Sequence, residues 1–378
     1  MHDNLKVYLL AGLHPIYESL VKFPPSKIQY ISSISPKSFD SLEIYKKEYE
    51  TKKRVIVKLL TILRLPRMFF ITKNCDLIHS CRGVLILNRK PWVIDIEHAG
   101  SFGDYLKINK KVLIKLLSSK YCKKILPHCM AAAKSLDSAY DISGFKEKVE
   151  VLYPAISTHF VKKLKRRKNE KIMLLFVGKG KSFYRKGGKE LLQAFDILSK
   201  RYDVKLIMKT EPPEEIKRKY GTRRDIEFFS KTISRDELFI KIYGTSDIFV
   251  LPTYVDSFGY VLLEAMAAGL PLVSTDIFAI PEIIEDGKNG FLIHTPISDF
   301  KLNFLYQDKY LDIGNYIKNR NFPNIVHQLV DKLSILIEDS SLRKRMGRYG
   351  RRLVEKGKFS IRERNKKLKQ VYEEALKS

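Results

Sequence analysis

Acidic residues are scarce in this chain: 42 Asp and Glu stand against 70 Lys and Arg, a net of +28 over 378 residues. A surplus of that size points to an anionic partner, whether nucleic acid, a membrane surface or a small molecule. A lysine-rich, solvated surface accounts for the same count. Cysteine is sparse as well. Cys75, Cys81, Cys122 and Cys129 fit neither a zinc framework nor a disulfide-dense secreted scaffold, so they read as reduced core residues of a cytosolic protein. No run of roughly 18 apolar residues occurs, so no segment is expected to span a membrane. The first apolar stretch, Val7 to Leu13, is too short for a secretory signal and reads as a strand. Repeats, low-complexity tracts and nucleic-acid modules that interleave aromatic with basic residues are absent, which removes nucleic acid from the expected partners.

What is present is an ordinary apolar fraction, 44%, and length enough for two domains. Short apolar runs at Lys6–Leu13, Lys27–Ser33, Arg67–Thr72, Trp92–Glu97, Lys123–Leu126 and Val149–Tyr153 read as strands. Helical patterns near 42–63, 105–119 and 130–138 lie between them. This alternation predicts a parallel, doubly wound sheet. A basic stretch at 162–168 interrupts it and reads as a hinge, after which the alternation resumes. Strands are expected at Lys171–Val177, Val204–Met208, Ile226–Phe229, Ile248–Leu251, Leu272–Ser274 and Gly290–His294, and helices at 323–338, 340–356 and 361–377. Segment 296–322 is polar and ambiguous. The expected division is an N-terminal Rossmann-like domain over 1–160, a hinge over 161–170, a second Rossmann-like domain over 171–358, and a final helix over 359–378 that crosses back to the first domain. In open α/β sheets ligands bind beyond the carboxyl ends of the strands. Two such domains are therefore expected to aim their strand-to-helix loops at a shared cleft.

Three segments in the second half carry chemistry. Phe176 to Gly188 follows a strand and opens a helix at Lys189. Its glycines, Gly178 and Gly180 among them, permit close approach to an anion, and Lys179, Lys181, Arg185 and Lys186 supply charge. It is neither a G-x-x-x-x-G-K-[ST] nor a G-x-G-x-x-G loop. Pro252 to Pro271 is a loop leading into a helix from about Phe258 to Ala268. Asp256 and Ser257 stand where an N-cap belongs, and Gly269-Leu270-Pro271 ends the helix. Glu264 lies inside an apolar, small-residue helix, where a carboxylate is costly unless it has partners. Sugar hydroxyls would satisfy it, and so would a buried salt bridge. Ile280 to Leu292 reads only as a turn before a strand.

In order and spacing these segments resemble the C-terminal domain of glycosyltransferase family four, the retaining, glycogen-synthase-like group 1 enzymes of the GT-B fold. Asp256 and Glu264, with seven residues between them, resemble its paired-acid signature. Lys186-Gly187 resembles its phosphate loop, and Pro281-Glu282-Ile283-Ile284 to Gly290 the segment that closes its donor site. Ser234 to Leu238, Met346-Gly347-Arg348-Tyr349-Gly350 and Tyr372 also fit. The resemblance implies that Lys179 and Lys186, with backbone N–H groups of Phe258 and Gly259, hold a donor diphosphate beside Gly178 and Ser257. It implies that Asp256 contacts the transferred sugar and Glu264 the ribose. His98, in the loop after Trp92–Glu97, matches a histidine that the family places near that sugar. Two departures stand out. Lys179 replaces the usual arginine and loses bidentate phosphate binding, and Asp256 replaces a commoner glutamate.

The expected activity is therefore transfer of a sugar, with retention, from a UDP- or GDP-sugar to a glycan or lipid-linked acceptor. No metal site and no cofactor are expected, because lysine charge replaces a cation. The expected location is the cytoplasm; the basic amphipathic stretches 52–64 and 107–117 read either as ordinary surface helices or as a peripheral docking surface for the inner membrane face. A GT-B epimerase and a non-catalytic nucleotide-sugar-binding relative are the competing readings.

Overall fold

A computed structural model describes residues 4–12, 14–32, 58–103, 108–163, 170–178, 180–231, 233–297 and 310–377. The chain divides into two compact units, one made of residues 1–155 with 358–378 and the other of residues 156–357. Most of the basic run at 162–168, the bulk of the stretch 42–63, and residues 298–309 of the stretch 296–322 lie outside the described residues.

Among the described residues the N-terminal unit contains seven strands: β1 (Leu5–Leu10), β2 (Ile28–Ser32), β3 (Met68–Phe69), β4 (Leu77–Ser80), β5 (Leu85–Ile86), β6 (Trp92–Ile96) and β7 (Cys122–Pro127). Its main sheet is parallel, in the order β2-β1-β4-β6-β7. β3 and β5 form a separate parallel pair. Strands covered on both faces read as continuous apolar runs, and β6 is buried throughout.

Two expectations fail here. β4 is a central strand that the apolar pattern does not reveal, because Leu77-Ile78 is followed by His79 and Ser80. Both polar residues are fully buried. His79 Nδ1 is 2.6 Å from the Tyr372 hydroxyl, and the Ser80 hydroxyl donates to the Val84 carbonyl. Conversely, Val149–Tyr153 is not a strand. It runs beside β7 through the Glu150 and Leu152 amides, with a single bridge at Val149, before Pro154 ends the pairing. The final helix, Ile361–Lys377, belongs to this unit. Arg364 fixes it by donating to the Ser19 hydroxyl and to the Ser19 and Phe23 carbonyls.

Among the described residues the C-terminal unit has six parallel strands: β8 (Ile172–Val177), β9 (Val204–Lys209), β10 (Ile226–Phe228), β11 (Ile248–Leu251), β12 (Leu272–Thr275) and β13 (Gly290–Ile293). Their order is β10-β9-β8-β11-β12-β13. Strand order reverses between β8 and β11, which pair directly. The carboxyl ends of strands at such a reversal are the place where doubly wound sheets bind ligands. Both doubly wound sheets are as expected for the GT-B class.

The donor loops and the buried acid

The loop after β8 ends at Gly187, and the helix Gly188–Leu198 starts there. Gly187 is left-handed, φ 72°, and a Cβ on it would stand 2.0 Å from the Pro252 carbonyl oxygen. Only glycine lets this loop press against the start of the loop after β11. The two loops are then joined by backbone. Tyr254 N–H donates to the Arg185 carbonyl at 2.8 Å, and the Thr253 hydroxyl donates to the same oxygen at 3.2 Å.

That junction brings expected residues together. Lys186 Nζ lies 2.6 Å from Asp256 Oδ2 and 3.1 Å from the Val255 carbonyl oxygen. Asp256 Oδ1 accepts from the Gly259 N–H at 3.1 Å. Gly178 lies beside them, since a Cβ there would be 3.7 Å from Lys186 Cγ. Lys179 falls outside the described residues. The expectation that Asp256 or Ser257 caps the helix is corrected. The helix is Tyr260–Ala267, and its N-cap is Gly259, left-handed at φ 81° and without a side-chain cap. Asp256 stands three positions earlier and closes the turn into that glycine. The helix ends as expected, with Leu270 N–H donating to Ala265 and Gly269 N–H to Met266, the paired bonds of a Schellman ending.

Glu264, on the same helix, is 5% exposed. Its Oε2 accepts from the Tyr243 hydroxyl at 2.8 Å and its Oε1 from the Arg235 guanidinium at 3.3 Å. The buried salt bridge weighed against sugar hydroxyls is therefore present. Ser234 to Leu238, expected as a turn, begins the helix Arg235–Lys241 with a reciprocal Ser234–Glu237 capping box.

Glu190 was not anticipated. It lies in the first turn of the Gly188–Leu198 helix and is fully buried. Among the described residues neither carboxylate oxygen has a hydrogen-bond partner, and nor has the buried Tyr254 hydroxyl. Burial raises its carboxyl to about 7, with the nearby Tyr254 hydroxyl and Lys189 offsetting part of the rise. An acid between Lys189 and Leu191 in the first turn of a helix gives no sequence signal of burial, since helix N-termini favour exposed acids.

In the N-terminal unit His98 is extended at the N-cap of the short turn Ala99–Phe102. Its Nδ1 accepts from the Gly100 N–H at 3.0 Å, so the neutral ring carries its proton on Nε2. Burial lowers its pKa, while Glu97 opposes that shift. Asp95, behind it, is buried. Burial alone would raise its carboxyl, but His128 and His79 hold it far below the usual range. Tyr17 and the Arg82 N–H donate to Asp95 Oδ1 at 3.1 and 2.7 Å. His79, Cys81 and Asp95 gather donor atoms within 4.8 Å of one another. His79 Nε2 and His128 Nε2 lie 3.5 and 3.7 Å from the Asp95 carboxylate.

Residues 157–304 match the model described as Glycosyl transferases group 1. The capsular polysaccharide biosynthesis glycosyltransferase CapM of Staphylococcus aureus is 29% identical over 198 residues, 51% of this chain and 44% of CapM. The lipopolysaccharide glucosyltransferase WaaG of Escherichia coli is 32% identical over 142 residues, 36% of each chain. The chain thus spans under half the length of these curated relatives. Among solved structures, HepE of Anabaena covers 98% of this chain and all of its own, with a TM-score of 0.63 at 14% identity. A glycosyltransferase from Rickettsia africae gives 0.61 at 14%, covering all of both chains. The fold is shared with these proteins, and residues 157–304, which hold the joined loops and Glu264, are similar to the family of glycosyl transferases group 1.

Proposed function

We propose that the protein transfers a sugar, with retention of anomeric configuration, from a nucleoside-diphosphate sugar bound at the joined loops of the C-terminal unit. The observation that carries this reading is the Lys186–Asp256 pair, 2.6 Å apart, at the point where the strand order of a doubly wound sheet reverses. An ammonium beside two loop backbones suits a departing diphosphate, whose charge grows as the sugar–oxygen bond breaks. A carboxylate paired with that ammonium suits a hydroxyl of the transferred sugar. HepE structures hold UDP, UDP with glucose, and UDP-glucose, and a donor of that class fits the reading.

In the reaction the bond from the anomeric carbon to the phosphate oxygen breaks, and a bond to the acceptor oxygen forms. The acceptor's proton passes to the departing diphosphate. Lys186, with Lys179 beside it in sequence, supplies the positive charge, so no divalent metal takes part. Phe258 and Gly259 turn backbone N–H groups toward the phosphates once Asp256 releases the Gly259 amide to a ligand. Glu264 accepts from the ribose and His98 contacts the transferred sugar. The acceptor is a glycan or a lipid-linked saccharide, met at the inner face of a membrane. No helix among the described residues is long and apolar enough to cross one.

The test is incubation with UDP-, GDP- and ADP-sugars, with and without glycan acceptors. The expected result is acceptor-dependent release of one nucleoside diphosphate, unaffected by EDTA. Release abolished by EDTA and restored by magnesium would overturn the metal-free step. An epimerised sugar without transfer would replace transferase with epimerase.

A further inference from the structure

The carboxylate of Glu264 does not stand alone, and its supports come from elsewhere in the fold. One is the Tyr243 hydroxyl, fully buried and 2.8 Å from Oε2. The Tyr243 ring is stacked on Phe239 at 5.1 Å and on Phe249 at 6.0 Å, and Phe239 stacks in turn on Phe160. This aromatic column leaves the hydroxyl little freedom. The other support is the Arg235 guanidinium, 3.3 Å from Oε1. It lies over the rings of Phe239 and Tyr260, 5.8 and 5.7 Å from their centroids. Arginine stacks on aromatic faces and keeps its charge under all ordinary conditions. Among the partners of Glu264 are therefore a donor to each oxygen, and three aromatic rings hold these two donors in place.

Resting on the reading that Glu264 accepts from a nucleotide's ribose, we infer that Arg235 and Tyr243 are positioning residues that set the choice of a ribonucleotide over a deoxyribonucleotide. The physical argument is one of complementarity. A carboxylate has about four acceptor sites, so two protein donors orient it and remain compatible with hydroxyls of a ligand. An acceptor fixed in place discriminates against a ligand that lacks the matching hydroxyl, because the carboxylate then loses a charge-assisted bond that water replaces poorly in a buried site. An acceptor free to swing would find another partner and lose that discrimination. Arg235 is a quarter exposed at its side chain while Glu264 is buried, so the guanidinium is the part of the pair that solvent reaches.

The experiment titrates the whole protein with UDP, GDP and ADP, and with the 2′-deoxy and 3′-deoxy form of whichever binds. The variants are Arg235→Met, Arg235→Lys and Tyr243→Phe, with thermal unfolding recorded for each. For the native protein, loss of one ribose hydroxyl is expected to weaken binding by roughly tenfold or more. In Arg235→Met and Tyr243→Phe the ribonucleotide should bind more weakly, and the preference should fall to within about threefold. Arg235→Lys should recover part of it, because charge returns without the planar stack. A folded Arg235→Met that keeps the native preference would overturn the inference while leaving the donor site intact. A native protein that binds the ribose and deoxyribose forms equally would remove Glu264 from the ribose, and the inference with it. Absence of binding by any nucleoside diphosphate would count against the donor site itself.

Discussion

Lys186 is paired before any ligand arrives, and that pairing decides how its loss will be felt. Its partner Asp256 is mostly covered, and the two side chains are 21% and 14% exposed. A partly exposed pair contributes roughly 1 kcal/mol or less to stability. A cation facing a departing diphosphate is worth far more in the transition state. Lys186→Ala is therefore expected to lower turnover on the order of a hundredfold with only a small drop in melting temperature. Wild-type turnover with a lowered melting temperature would make the lysine structural. Glu190 leads to the opposite kind of prediction, about stability and not rate. Its carboxyl is raised to about 7 by burial, above its value in the unfolded chain. The folded state thus holds a proton that the unfolded state gives up. Stability should be full below pH ~4.5, fall as pH rises toward ~7, and level off above, by on the order of 3 kcal/mol at most. Glu190→Gln should flatten that slope and exceed the native protein above pH 7. Urea unfolding across this range checks it, and parallel curves for the two proteins would refute it. These two residues also differ in how the sequence shows them. Lys186 stands in a glycine-rich loop after an apolar strand, where its role is readable. Glu190 is one acid in a helix, and only packing shows that it is buried. Arg235 and Tyr243 were equally hidden, since they meet Glu264 across 29 and 21 residues of chain.

At the scale of elements, the C-terminal unit was largely readable because its strands are apolar runs bounded by breakers, and its helix ends carry turn chemistry. Leu251, where β11 stops, and the 323–338 helix fall where the pattern predicts. The N-terminal unit was less so. β4 has two apolar residues and a buried histidine, and its identity depends on Tyr372 from the far end of the sequence. The glycines of Met346-Gly347-Arg348-Tyr349-Gly350 could be matched to a family but not explained. In the structure the helix Ser340–Glu355 packs on Tyr260–Ala267. A Cβ at Gly347 would stand 2.0 Å from the Gly269 carbonyl oxygen, which ends the acid-bearing helix. At Gly350 the nearest atom is Met266 Cγ, at 3.2 Å. Tyr349 donates to Glu285 at 2.8 Å, tying the same helix to the turn before β13. Backbone cannot yield as a methionine can. Gly347→Ala is therefore expected to cost roughly 1–3 kcal/mol by overpacking, and Gly350→Ala less. Denaturant midpoints compare the two, and equal losses would contradict the contact. Donor affinity should fall with Gly347→Ala as well, because the strain reaches the helix that carries Glu264.

The whole molecule carries a net charge of +28, and charge of that size favours an anionic surface. Two basic amphipathic stretches read either as ordinary surface helices or as a membrane-docking surface, and the structure separates them. In Lys110–Ser118, part of the stretch 107–117, Leu113 and Leu117 are buried in the N-terminal unit. Its apolar face is already used in the core, and its lysines solvate the outside. The other stretch, 52–64, is described only from residue 58. There Leu59, Ile62 and Leu63 are 55%, 68% and 56% exposed, with Lys58 and Arg64 exposed beside them. Large apolar side chains next to basic ones suit an interface of acyl chains and anionic headgroups. Each basic residue near such a surface contributes about 1 kcal/mol, and salt screens that share while leaving the apolar one. The protein is expected to sediment with vesicles that contain anionic lipid, strongly at low ionic strength and weakly at high. Changing Ile62 and Leu63 together to Glu should abolish sedimentation without lowering the melting temperature, since neither side chain is part of the core. Replacing Lys111 and Lys115 with Ser, on the helix whose apolar face is buried, should change it far less. If the protein stays in solution with anionic vesicles even at low salt, the surplus of lysine only keeps the surface hydrated, and the acceptor is a soluble glycan.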